Sequence, residues 1–195
     1  VPSLDLYLDS TAQDIAGGYL PLLVLDKPVV LSKTGTLGRT PGEQAGSVEN
    51  NTVFKVSKTG AADFTHSSRV IGWAAEINRY GMKSMTPTNR DQMIQQVLAS
   101  YGLNGTGKFD AGKLDGTGAD YEMKLAGRVD NLVNLPGPIG VLTMSSLSGG
   151  IAQSVFGFLM EQERTQAFTC VSGVTEEQAR FEFPPDVNIL AAPKA

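Results

Sequence analysis

The residues with the clearest chemical potential lie between positions 102 and 120. Gly102-Leu-Asn-Gly-Thr-Gly107-Lys108 has the spacing of a phosphate loop, in which backbone N–H groups and one lysine cradle a polyphosphate. Three features depart from that chemistry. Phe109 stands where a magnesium-binding Ser or Thr is needed, the preceding stretch reads as helix rather than strand, and the following residues are too rich in Gly to open a helix. A flexible helix-to-strand connection is the expectation instead. In the same stretch Asp110, Asp115 and Asp120 recur at equal intervals, and their oxygens are of the kind calcium takes. Counting from Asp110, however, Gly112 and Leu114 fall at ligand positions of a helix-loop-helix calcium site. The expected role of these carboxylates is therefore to cap turns through backbone hydrogen bonds.

His66, the sole histidine, sits among hydroxyls in Phe64-Thr-His-Ser-Ser68. A serine hydrolase would present a serine on a sharp turn beside this imidazole, but no Gly-x-Ser-x-Gly occurs, and a surface or turn position is expected for His66. The single cysteine, Cys170, allows no intrachain disulfide and reads as a small buried apolar side chain in a strand. One histidine and one cysteine also cannot complete a nitrogen and sulfur metal site. Glu161 and Glu163 flank Gln162 on one face of an expected strand and read as a solvated face. No catalytic, metal or cofactor-binding residue is assigned on this basis, and no cofactor is expected.

These residues need elements to hold them. Leu4, Leu6 and Leu8 alternate with Asp5, Tyr7 and Asp9, which predicts a short first strand. Residues 19–31 are apolar but carry Pro21 and Pro28, so an edge strand or an arm lying on a neighbour is expected. Residues 32–51 show neither helical nor strand periodicity and read as a long polar loop. A strand is predicted over Thr52–Lys58 with Phe54 and Val56 on its apolar face, while residues 70–80 read as either a helix or a strand, Gly72 and the β-branched pair Val70 and Ile71 pulling towards strand. The clearest helix spans 89–101: Thr88 is the expected N-cap, Met93, Ile94, Val97, Leu98 and Tyr101 form its stripe, and Gly102 ends it. Odd positions from Ala119 to Val129 are mainly apolar and even ones mainly charged, the clearest strand pattern.

After Pro136, Gly137 and Pro138, the residues Met144, Leu147, Ile151, Val155 and Phe158 fit a helical stripe interrupted by Gly149, Gly150 and Gly157. Strands are expected over 163–171 and 179–183, and Pro184-Pro185 ends the folded body. The predicted fold class is α+β: one mostly antiparallel β-sheet covered by one or two helices, with long ordered loops. A single domain over 1–195 is expected, with a possible extended arm and loop at 19–51.

The helix followed by Gly107-Lys-Phe-Asp110 and Gly118-Ala-Asp-Tyr-Glu-Met-Lys-Leu-Ala-Gly-Arg-Val129 resembles a pattern in bacterial outer-membrane lipoproteins of the curli-secretion and penicillin-binding-protein-activator types. The resemblance stops at Val129, and no functional residue is carried across.

Composition narrows the function classes. Of 195 residues, 41% are hydrophobic and only 18% charged, against about 25% charged in typical soluble proteins. Gly, Ser, Thr, Asn and Gln replace the missing charge, which suits packed subunits of assemblies. The net charge of −4 and the scattered 16 basic residues work against nucleic acid as a partner. No apolar run approaches the roughly 18 residues of a membrane-spanning helix, and the strongest, Tyr19 to Leu25, is broken by Pro21. A chain that begins at Val1 rather than Met suggests a trimmed or processed N-terminus. The expected function is a non-enzymatic structural or assembly subunit of a homomeric complex, first a bacteriophage virion protein. The alternatives are a periplasmic or outer-membrane-associated ring or secretion component of a bacterial envelope, and a small hydrolase or ligand-binding module. The expected partners are copies of the chain or neighbouring subunits, in a virion or a cell envelope.

Overall fold

The computed structural model describes residues 6–12, 15–135, 137, 139–142, 146–148 and 173–191. Two kinds of β-structure appear among them. A two-stranded antiparallel flap is made of β1 (Pro28–Leu31) and β2 (Thr36–Arg39). The body is a five-stranded sheet of β3 (Gly46–Val56), β4 (Ala62–Ile71), β5 (Gly105–Asp110), β6 (Asp120–Val129) and β7 (Gly173–Glu182), ordered β5-β6-β4-β3-β7. Every body pairing is antiparallel except that of β3 with β7. Helices α1 (Trp73–Ser84) and α2 (Pro87–Ser100) follow β4. The class is α+β, a mixed sheet with few helices.

Period-2 alternation builds the covered face. Phe54 and Val56 on β3, Phe64 and Val70 on β4, and Tyr121, Met123 and Val129 on β6 all point inward and are buried. They form two apolar clusters. Ile94 and Leu98 of α2 close the one around Phe54, Phe64 and Val129, and Ala74, Ala75 and Met82 of α1 close the one around Val70, Tyr121 and Met123. Each fully buried large side chain stabilises the fold by roughly 1.5–3 kcal/mol.

Alternation fails as a guide where one residue redirects the chain. Residues 70–80 are not one strand: β4 ends at Ile71, Gly72 turns with φ of 82°, and α1 starts at Trp73. A Cβ at Gly72 would lie 2.7 Å from the Ala45 carbonyl oxygen, so only glycine makes this strand-to-helix pivot. The α2 N-cap is Thr86 rather than Thr88. Pro87 supplies a preset φ at the first helical position and lacks only an N–H the helix would not use, while Thr86 Oγ1 accepts from Asn89 N at 3.2 Å. Asp91, in the second turn of α2, holds β5 by accepting from Phe109 N at 2.8 Å.

Residues 32–51 are likewise not a single loop, since they contain β2 and the first half of β3. Residues 6–9 have no strand assignment, and Asp9 instead caps a local turn through Thr11. The segment 19–31 does contain a strand, β1, but pairs it with β2 of its own chain. β7 starts earlier than the expected 179. The expected strand at 163–171, the residues Glu161, Glu163 and Cys170, and most of the helical stripe from Met144 to Phe158 lie outside the described residues.

Candidate functional site

Between the two apolar clusters the covered face turns polar. Asn50 pairs with Ser68 and Thr52 with His66 across β3 and β4, and all four side chains are buried. β7 sets Glu177 opposite Asn50. Thr52 Oγ1 lies 2.8 Å from His66 Nδ1, and Glu177 accepts hydrogen bonds from the hydroxyls of Ser146 and of Ser148, the latter at 2.6 Å. His66 is only 7% exposed. Burial holds its imidazole below the usual histidine range, with the Glu177 charge pulling the other way, so the ring is neutral at pH 7.

The expected surface position of His66 is thus corrected. Its neighbours Thr65 and Ser67 do face outward, which gives the stretch a polar look, but the strand's alternation carries His66 inward in phase with Phe64. The same signal could have found Asn50 and Thr52, which continue the phase of Phe54 and Val56 backwards along β3. Ser146 and Glu177 carry no such local signal, because only tertiary packing brings them together.

The chemistry open to this seam is limited by access. A hydroxyl bonded to an imidazole is the first contact of a nucleophile and its base. Here the hydroxyl belongs to Thr52, which is 1% exposed, so no carbonyl could approach it. The serines face Glu177 rather than His66. The arrangement ties β7, β3 and β4 together through buried polar groups, and Thr52, the hydroxyl beside the imidazole, is closed to solvent.

The residues between 102 and 120 are dispersed as well. Gly105 and Gly107 lie on β5 beneath α2, where added Cβ atoms would come within 2.6 Å of Leu98 Cδ1 and 3.0 Å of Ile94 Cδ1. The phosphate-loop spacing is thereby explained as a helix end at Gly102 followed by two close contacts between helix and strand, which corrects the expected flexible connection. Asp110 caps a turn by accepting from Gly112 N at 2.9 Å, Asp115 lies 3.9 Å from Lys83 Nζ, and Asp120 pairs with Arg69 at 3.4 Å. Three carboxylates with three separate partners make no cation cage, and among the described residues no three His, Cys, Asp or Glu side chains are grouped to hold a metal. Sequence reasoning missed Arg79. Its buried guanidinium donates to the carbonyls of Gly118 and Asp120 at 3.0 and 2.8 Å and lies 5.3 Å from the Tyr121 ring centroid, fastening the loop before β6 to α1.

Two accessible features remain. The sheet also holds a depression of about 650 Å³ over Val53 and Ala126, whose polar lining is Asn51, Thr65, His66, Ser67, Lys108, Asp110 and Lys124, His66 being 7% exposed there. The flap presents the second. Leu20 and Leu25 are buried, and Thr40 Oγ1 fixes the flap's base by accepting from Lys27 N and donating to the Val24 carbonyl. Yet Leu23, Val30 and Leu37 are 86%, 67% and 79% exposed. Among the described residues no helix is long and apolar enough to cross a membrane. Comparison of the chain with protein-family models, with curated proteins and with solved structures yields no match.

Proposed function

We propose that the chain is a non-enzymatic structural or assembly subunit of a larger homomeric complex, of the kind that builds a bacteriophage virion. The observation that carries this reading is the flap together with the helical turn Leu22–Val24 that leads into it, ordered by their own hydrogen bonds yet holding Leu23, Val30 and Leu37 in water. Large apolar side chains concentrated on one small ordered element mark a contact surface. Burying each against a neighbour contributes roughly 1.5–3 kcal/mol, which a free subunit forgoes. The low charge fraction and the burial of Thr52, the hydroxyl beside His66, support the same reading.

Sedimentation of the full chain at micromolar concentration tests it. The expected result is a species heavier than the 20.7 kDa chain, whose mass falls in the double variant Leu23→Ser, Leu37→Ser while the circular dichroism is unchanged. Monomeric sedimentation of the unsubstituted chain contradicts the reading. A second reading, a ligand-binding module, draws on the depression over Val53 and Ala126. It requires a monomer in that experiment and a small ligand that shifts the amide resonances of Thr65, Ser67 and Lys124.

A further inference from the structure

We infer that β7 is a seam between two copies of this chain, pairing antiparallel with its own counterpart about a twofold axis through Gln178. The inference rests on the assembly reading above and names one contact within it. Among the described residues β7 is an edge of the body sheet, hydrogen-bonded on one side to β3. Its ten residues contain no proline, and their register with β3 runs unbroken from Gly173 to Glu182. The outer edge therefore offers a regular row of backbone donors and acceptors, without the bulge or proline that blunts exposed edges elsewhere. Seven of its ten residues are exposed, and these come from both faces of the strand, so little of the described chain competes for this edge.

Charge selects the partner and the register. Directly opposed residues of an antiparallel pair share a face, and opposite charges there attract while like charges repel. The uncovered face of β7 carries Val174, Glu176, Gln178, Arg180 and Glu182. Centring the axis on Gln178 sets Glu176 of each copy opposite Arg180 of the other, twice by symmetry, and leaves no like charges opposed. Moving the axis to Glu176, Glu177 or Arg180 opposes that residue to itself. Placing it on Ala179 opposes Glu176 to Glu182. An axis at Phe181 also opposes Arg180 to Glu182 but overlaps only the last residues of the strand, whereas the Gln178 register is complementary over Val174 to Glu182, which is the condition for an isologous contact. Joined in this way, the two body sheets form one continuous sheet, with the covered faces on the same side.

The test uses the full chain. Arg180→Glu and Glu176→Arg are each expected to lower the mass of the species by about twofold, and their combination to restore it, because the swapped pair is again complementary. Gln178→Cys, in a Cys170→Ser background, is expected to form a disulfide-linked dimer under oxidation. If the chain is oligomeric but neither single charge variant lowers its mass, or Gln178→Cys stays unlinked, the seam is wrong and the assembly reading stands. A monomeric unsubstituted chain removes both.

Discussion

The body sheet and the flap apply the same β-strand rule to opposite ends. In the body, one face of β3, β4 and β6 is buried, apolar at both ends and polar at the seam of Asn50, Thr52, His66 and Ser68, and the other is mostly polar and more exposed. In the flap, β1 and β2 have strand pairing but no buried strand residue, and the large side chains of Leu37 and Val30 face water. A hairpin standing alone is marginally stable at best. The flap persists through its polar base, where Thr40 bridges Val24 and Lys27 and Arg39 pairs with Asp26, and through Leu20 and Leu25 beneath it. The difference teaches that body residues are selected for what they bury within the chain and flap residues for what they leave available outside it.

The sharpest way to break that contrast is to exchange the consequences of substitution. Leu98→Ala, in the cluster under α2, is expected to cost about 2–5 kcal/mol of unfolding free energy in denaturant titration and to leave the assembled mass unchanged among folded molecules. Leu37→Ser is expected to change stability by no more than about 0.5 kcal/mol and to lower the mass. If the two variants behave alike, body and flap do not differ in kind.

Gly107→Val tests the close contact between helix and strand. Its Cβ would meet the Ala126 carbonyl oxygen at 2.8 Å and Ile94 at 3.0 Å, so a loss of about 1–3 kcal/mol is expected in the same titration. A neutral result would return Gly105 and Gly107 to the status of free loop residues. The polar seam yields a pH test. The folded state holds the His66 pKa below its ordinary value near 6.5, so the unfolded chain binds the proton more readily. The stability that depends on neutral His66 is fully present above about pH 6.5 and declines as pH falls through that value toward the lower, folded-state pKa. Denaturant midpoints at pH 7.5 and 5.5 should therefore converge in His66→Gln relative to the unsubstituted chain; equal differences would show that the imidazole is not the group responsible.

The smallest effect separates the two candidate caps. Thr86→Ala is expected to cost about 1 kcal/mol, and Thr88→Ala less than about 0.5 kcal/mol, because only Thr86 accepts a hydrogen bond from the first turn.

What could be read from the residues follows from the range of the forces involved. The stripe of α2 and the alternation of β6 are local patterns repeated several times, and both elements appear where that periodicity places them. Single-residue events were harder to see. Gly72 turns a strand into a helix within one position, and Pro87 begins a helix one residue ahead of the apparent cap. The seam was the least legible part. Thr52 and His66 are fourteen positions apart, and Glu177 reaches them only through a parallel pairing with β3 that nothing near residue 177 announces. The hydroxyls flanking His66 point to an exposed position, while its phase with Phe64 points inward, and the phase is the signal the strand obeys. Leu23 and Val30 belong to the legible apolar run 19–31, whereas Leu37 falls in a stretch that reads as polar loop, and the hairpin itself is hidden by Pro28 and Gly35.

Amide hydrogen exchange at two protein concentrations measures body and flap in one experiment. If the flap is a contact surface, the amides of residues 20–40 are protected at high concentration and lose protection on dilution, while those of β4 and β6 exchange equally slowly at both. Flap exchange that is identical across dilution, from a species of 20.7 kDa, would contradict the account.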